Sequence, residues 1–207
     1  MFWDVKEFNE ECRSNSGDFQ PMKISCRNGT TFTDFYLLPH GVPLHHRGCS
    51  DRMPWVIDSL ERIYQNHGSK VPITILLTPG AHFSIVNKGI FYRRLVGIRN
   101  KISELAPKMP NAKFIIKTPN YFRGDYKALP NVFSGYNGYV MQQIILNVFN
   151  KTIVKIIDVY DMTRVYFDHI APTPAGIHLG TDGGSRWLLP AVLHYFDEEL
   201  NAHLHGG

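Results

Sequence analysis

From residue 70 onward the chain alternates short apolar runs with amphipathic ones, and this alternation restricts the fold more than any other feature. Ile73-Thr74-Ile75-Leu76-Leu77-Thr78 is rich in β-branched residues, carries no charge and stops at Pro79-Gly80. A strand buried on both faces of a parallel sheet reads this way. Lys88 to Ala106 follows, with Ile90, Phe91, Leu95, Ile98, Ile102 and Leu105 at helical spacing and Arg93, Arg94, Lys101 and Glu104 between them. Pro107 and Pro110 stop that helix, because proline lacks the N–H that a helix interior needs. The cycle repeats: a strand over Lys113 to Thr118, a helix over Tyr139 to Phe149, a strand over Thr152 to Asp158, and a last helix over Arg186 to His203. Upstream, Thr31 to Leu38 reads as a strand and Asp51 to Gln65 as a helix. Strands and helices that alternate with short connections predict a parallel sheet with helices on both faces. The first 30 residues are polar and irregular, apart from a short helix expected over Met1 to Glu11.

A chain of 207 residues, 43% hydrophobic, can bury one sizeable core, so a single domain over 1–207 is expected. The net charge of +4 is spread over Arg93-Arg94, Arg99-Asn100-Lys101 and Lys113…Lys117, on different elements. No basic stripe with interleaved aromatics forms, so nucleic acid is not expected as a partner. Met1 to Glu7 has no basic start followed by an apolar run, so no signal peptide is read there, and no run reaches the length of a membrane span. Cys12, Cys26 and Cys49 fit either one disulfide with an odd thiol or three reduced thiols. Without a Cys-x-x-Cys pair, zinc is not expected. Two glycosylation sequons occur, Asn28-Gly29-Thr30 and Asn150-Lys151-Thr152.

In open α/β sheets, ligands and reactive side chains gather at the C-terminal ends of the strands. Those ends offer His40-Gly41 after the first strand, Gly80-Ala81-His82 after the second, and Thr118-Pro119-Asn120 after the third. After the fourth come Asp158 to Thr163, and beyond them His178, just before the last helix. Glycine lets backbone N–H groups approach a developing oxyanion, and an imidazole can move a proton. Structural roles fit the same residues. His40 and His82 can bridge loops, Gly41 and Gly80 can satisfy turns, His178 can cap the final helix, and Asp161 can either orient a histidine or cap the segment after it. Three further patterns carry less. Gly180-Thr181-Asp182-Gly183-Gly184 resembles a phosphate nest without the P-loop lysine, and Arg123-Gly124-Asp125 is an integrin-type tripeptide. His40, His45 and His46 lack a carboxylate at metal-binding spacing, so neither a metal nor another cofactor is expected.

At these residues the chain resembles the C-terminal domain of the NXPE family, the neurexophilin and PC-esterase proteins of the SGNH-like acyl-esterase group. Four ordered stretches carry the likeness: His40-Gly41-Val42-Pro43; Ala81-His82-Phe83; Tyr92 to Arg99 followed by Ile115 to Thr118; and Ile157 to Thr163 leading to Ile177-His178. The resemblance implies a three-layer, flavodoxin-like α/β fold and acyl-ester chemistry on a carbohydrate, either hydrolysis or O-acetyl transfer from an acyl donor. It makes His178 the general base. It sets Gly80 and His82 beside the oxyanion position and Gly41 at an earlier turn. It also implies a secreted or Golgi-lumenal location. Two departures stand out. The family's Gly-Asp-Ser nucleophile block and its strand are expected just upstream of Met1, and Ser14, Ser16 and Ser25 are not preceded by a strand or such a turn. The acid expected three residues before the histidine is Ala175. The alternatives are therefore an acyl-esterase domain inactive as this chain, a pseudoenzyme that binds glycans or protein, and an unrelated doubly wound domain with a nucleotide at Gly180 to Gly184.

Overall fold

The computed structural model describes residues 3–8, 22–28, 31–37, 60–61, 64–65, 73–122 and 132–167. Among them are two three-stranded sheets of opposite kind. The first is an antiparallel meander in the order β1 (Trp3–Phe8), β2 (Met22–Asn28), β3 (Thr31–Leu37). Asn28 pairs with Thr31, so Gly29-Thr30 alone connects β2 to β3, and so short a connection fixes the register. β1 pairs with β2 through a register shift between Val5 and Glu7.

Two expectations are corrected here. Met1 to Glu11 is not a helix, since Trp3–Phe8 is a strand. The irregularity explains the misreading. Trp3, Val5 and Phe8 lie opposite Cys26, Ile24 and Met22, so the shift keeps three unevenly spaced apolar residues in one phase of the ladder. The strand expected over Thr31 to Leu38 is present, but it pairs antiparallel with β2 and is not a strand of the parallel sheet.

The second sheet is the expected parallel one, in the order β4 (Ile73–Leu77), β5 (Ala112–Lys117), β6 (Lys155–Ile157). α1 (Lys88–Leu105) connects β4 to β5, α2 (Gly135–Phe149) precedes β6, and α3 (Tyr160–Phe167) follows it. The α1 helix starts where the Asn87 side chain accepts from the Gly89 N–H at 2.8 Å. Its buried residues Phe91, Leu95, Ile98, Ile102 and Leu105 recur every three or four positions. The α2 helix starts four residues before the expected Tyr139, because Ser134 caps it by accepting from the Asn137 N–H at 3.2 Å. The sheet residues Ile75, Leu77, Phe114 and Ile116 join the α1 residues and Met141, Ile145, Val148 and Phe149 of α2 in one core. Each such side chain contributes about 1.5–3 kcal/mol on full burial.

Both helices pack on each other over that single face of the sheet. The opposite face, however, buries Ile115 completely, so it too is covered at its centre. The result is an α/β layered sheet of the expected class. The expected helix over Arg186 to His203 lies outside the described residues. Of the helix expected over Asp51 to Gln65, residues 60–61 and 64–65 are helical, and Tyr64 belongs to the core. The last strand is shorter than Thr152 to Asp158. The Thr152 N–H and hydroxyl both turn back to the Phe149 carbonyl, at 3.2 and 2.8 Å, which delays strand pairing until Lys155.

Candidate active site

The C-terminal ends of the three parallel strands meet the first two turns of α2. After β4, Thr78-Pro79-Gly80 leads into a 3-10 turn over Ala81–Phe83. The turn closes on itself: Gly80 O accepts from the Phe83 N–H, and Ala81 O accepts from the N–H and hydroxyl of Ser84. No described residue accepts from the N–H groups of Gly80 and Ala81, as expected at the start of a helical turn. A Cβ at Gly80 would come no closer than 3.8 Å to its nearest neighbour, the Thr78 carbonyl, so crowding by described atoms does not demand glycine there.

Asn137, in the first turn of α2, fastens this segment. Its amide donates to the Ser84 carbonyl at 3.1 Å and also to the Val132 carbonyl. One side chain thus joins the β4 turn, the entry to α2 and the helix itself.

The β6 end is held more elaborately. Thr118, fully buried at the end of β5, donates its hydroxyl to Asp158 Oδ1 at 2.9 Å and accepts from the Val159 N–H at 2.9 Å. Gln142 of α2, also buried, donates Nε2 to both Asp158 oxygens at 3.0 and 2.8 Å. The Tyr160 N–H adds a donor at 3.2 Å. A carboxylate that accepts from three groups is fixed in place, and its role here is to clamp β5, β6 and α2 together. Thr163 completes the joint. Its hydroxyl accepts from the Tyr121 N–H at 2.8 Å and faces the Val159 and Tyr160 carbonyls of its own helix.

Two titratable groups border this edge. Lys117 ends β5 and donates to the Thr118 carbonyl at 3.1 Å and to Asn120 Oδ1 at 2.8 Å. Burial holds its ammonium down at about 8, against an ordinary 10.5. The Tyr160 hydroxyl donates to the Gly135 carbonyl at 2.5 Å, and burial, then the neighbouring Tyr121, raises its pKa. The Tyr160 ring lies edge-on to Tyr121 at 5.7 Å and tilted to Tyr139 at 6.2 Å. Through Tyr160 and Asn137, the β6 and β4 ends both dock on the first turn of α2.

Of the sequence candidates, Gly80 and His82 lie in the 3-10 turn after β4. Asp161 is exposed on the first turn of α3, where a negative charge suits the helix N-terminus. Gly41 and His178 lie outside the described residues, as do Arg123-Gly124-Asp125, the Gly180 to Gly184 turn and His40, His45 and His46. Thr118 and Asp158 were named from sequence only as parts of strand ends, with no role given, and Gln142, Asn137 and Lys117 were not singled out. Gln142 had a signal: it sits beside Met141 on the buried side of an apolar helix, and a polar residue there needs partners. Among the described residues no group of three His, Cys, Asp or Glu side chains stands together as a metal site, and no helix is long and apolar enough to cross a membrane.

No solved structure matches the chain. Its sequence does match the family described as "NXPE family member 4-like, C-terminal domain" over residues 4–178, a span that runs from β1 through both sheets to His178 itself. With the parallel sheet, the Gly80–His82 turn after β4 and the Asp158 clamp all inside the matched span, this chain belongs to the NXPE family as a C-terminal domain.

Proposed function

We propose that this domain carries the acyl-ester site of an SGNH-like esterase or O-acetyltransferase that works on a carbohydrate in the secretory pathway. The observation that supports this most is the β4 turn: two N–H groups, of Gly80 and Ala81, begin a helical turn next to His82 at the strand end. Donors fixed in this way suit the oxygen of a tetrahedral intermediate. In this scheme His178 is the general base that accepts the proton of an attacking serine and returns it to the leaving alcohol. Gly80 and His82 flank the oxyanion, Gly41 is the glycine of the earlier turn that the resemblance implies, and Asp161 is the carboxylate available to orient an imidazole. Asp158 is assigned the clamp, because its oxygens are already engaged.

The 207 residues contain no Gly-Asp-Ser triplet, and position 175 is alanine. Alanine at position 175 favours a second role for the same cleft, as a secreted glycan- or protein-binding module that does no chemistry. Hydrolysis of 4-nitrophenyl acetate separates the two. The chain as it stands is expected to show no turnover above background. A longer form whose upstream segment ends a strand in Gly-Asp-Ser is expected to hydrolyse the ester, and His178→Ala is expected to abolish that. If the longer form is inert, the binding role replaces catalysis. If the 207 residues alone turn over ester and lose it with His178→Ala, the nucleophile lies within them.

A further inference from the structure

The turn that ends α2 has features no catalytic role explains. Phe149 O accepts from the Thr152 N–H at 3.2 Å, Asn150 has φ −56 and ψ 133, and Lys151 has φ 55. Those angles make Asn150 and Lys151 the two central residues of a type II-like turn. Asn150 is exposed, and Thr152 is the third residue of an Asn-x-Thr sequon. Directly after it, Ile153 is 61% exposed, although it is a large apolar side chain. Beside them runs an open groove of about 620 Å³, lined by Gln143 and Asn147 as well as Leu146, Val154 and Ile156, and bordered by the turn itself. The turn lies at the opposite end of α2 from the candidate site. The other sequon differs: Asn28 is the last residue of β2 and pairs with Thr31 inside the hairpin ladder.

We infer that Asn150 is an N-linked glycan acceptor and that the glycan shields Ile153 and the groove. The inference rests on the secretory-pathway part of the proposed function. The donor is a lipid-linked oligosaccharide pyrophosphate. A bond forms between Asn150 Nδ2 and the sugar C1, the bond from C1 to the pyrophosphate oxygen breaks, the lipid pyrophosphate leaves, and the amide loses one proton. A sequon in a surface turn is where so bulky a group is accommodated after folding. The exposed Ile153 side chain beside it gains cover from such a group.

The test expresses the full chain behind a cleavable secretory leader in mammalian cells. Peptide-N-glycosidase in heavy-oxygen water, followed by peptide mapping, reads each acceptor. The Asn150 peptide is expected to carry the heavy-oxygen aspartate signature. Asn150→Gln and Thr152→Ala should each lose one glycan's gel shift, and Thr152→Ser should keep it. Removing the glycan from folded protein should raise binding of a hydrophobic-surface dye. An unmodified Asn150 in leader-driven protein overturns the acceptor assignment, and unchanged dye binding overturns the shielding role. Failure of the secretory location looks different: the native protein is recovered from cytosol while the leader-driven form is glycosylated at Asn150.

Discussion

The two ends of α2 are built on different principles. At its N-terminus, partners from distant parts of the chain converge: Asn137 reaches Ser84, Tyr160 reaches Gly135, and Gln142 reaches Asp158. At its C-terminus, Thr152, Phe149 and Val154 satisfy one another within a short stretch of chain. The first end is the candidate site and depends on tertiary contacts. The second is a local turn that the sequence alone can close. Mutations at the site end should therefore cost stability through lost cross-connections, whereas those at the far end should act through backbone conformation.

Asn137→Ala should give the largest effect. It leaves the Ser84 and Val132 carbonyls without their donor, and a loss of about 2–4 kcal/mol is expected for two part-buried acceptors. Urea denaturation measures it. A loss no greater than that of an exposed α1 position would break the contrast between the two ends.

Lys117→Met should act in the other direction. Folding lowers this lysine to about 8 from 10.5, so between those values the unfolded chain holds a proton that the folded chain has released. Stability therefore rises with pH across that window, and the whole penalty is present below pH 8. Replacing the ammonium should stabilise the fold by roughly 2 kcal/mol at neutral pH, once its two lost hydrogen bonds are set against the relieved burial. It should also flatten the rise. Thermal melts of both proteins from neutral pH up through the lysine's ordinary range read the slope, and an unchanged slope would show that another group produces it.

Gly138→Ala sharpens the comparison within the helix. A Cβ there would lie 3.1 Å from Tyr160 and 3.2 Å from Phe122, and both rings are buried. The overpacking should outweigh the gain in helix propensity by about 1 kcal/mol. Gly97→Ala is the control, since no described atom lies within 4 Å of its Cβ, and it should stabilise by up to about 1 kcal/mol. Equal signs for the two would remove the packing explanation.

The smallest effect belongs to the far end. Lys151 holds φ 55, a conformation natural to glycine at that turn position. Lys151→Gly should raise stability by roughly 0.5 kcal/mol. It leaves the sequon valid, because Asn150 and Thr152 are untouched and only the middle residue changes. A shift in denaturation midpoint, with glycan occupancy unchanged, is the expected readout.

Much of the parallel half was legible. The apolar runs at 73–78 and 113–118 became strands within one residue of their expected ends, and 88–106 became α1. Such runs read clearly because both faces of a parallel strand need apolar residues. The N-terminal meander was not legible. In β1, a register shift disguises a two-residue period as something helical, and β3 looks the same whether its neighbour runs parallel or antiparallel. Of the candidate site, sequence order made legible which segments directly follow a strand, Gly80 to His82 after β4 and Asp158 to Asp161 after β6, but not which side chains bond there. Asp158 and Asp161 are both acids after β6, and nothing in their local sequence shows that Asp158 is the one clamped by Thr118 and Gln142.

Taken alone, then, the amino-acid order determined what depends on near neighbours: the alternation that makes an α/β layer, the Asn87 and Ser134 caps and the Asn150 turn. Contacts between residues far apart in the chain were decided only by tertiary structure. Thr118 meets Asp158 across 40 residues, Tyr121 meets Thr163 across 42, and Asn137 meets Ser84 across 53. Each is a buried or part-buried polar group that must find a partner once water is excluded. Which partner it finds is fixed by strand order and helix packing, because those set which chain segments are close enough to bond.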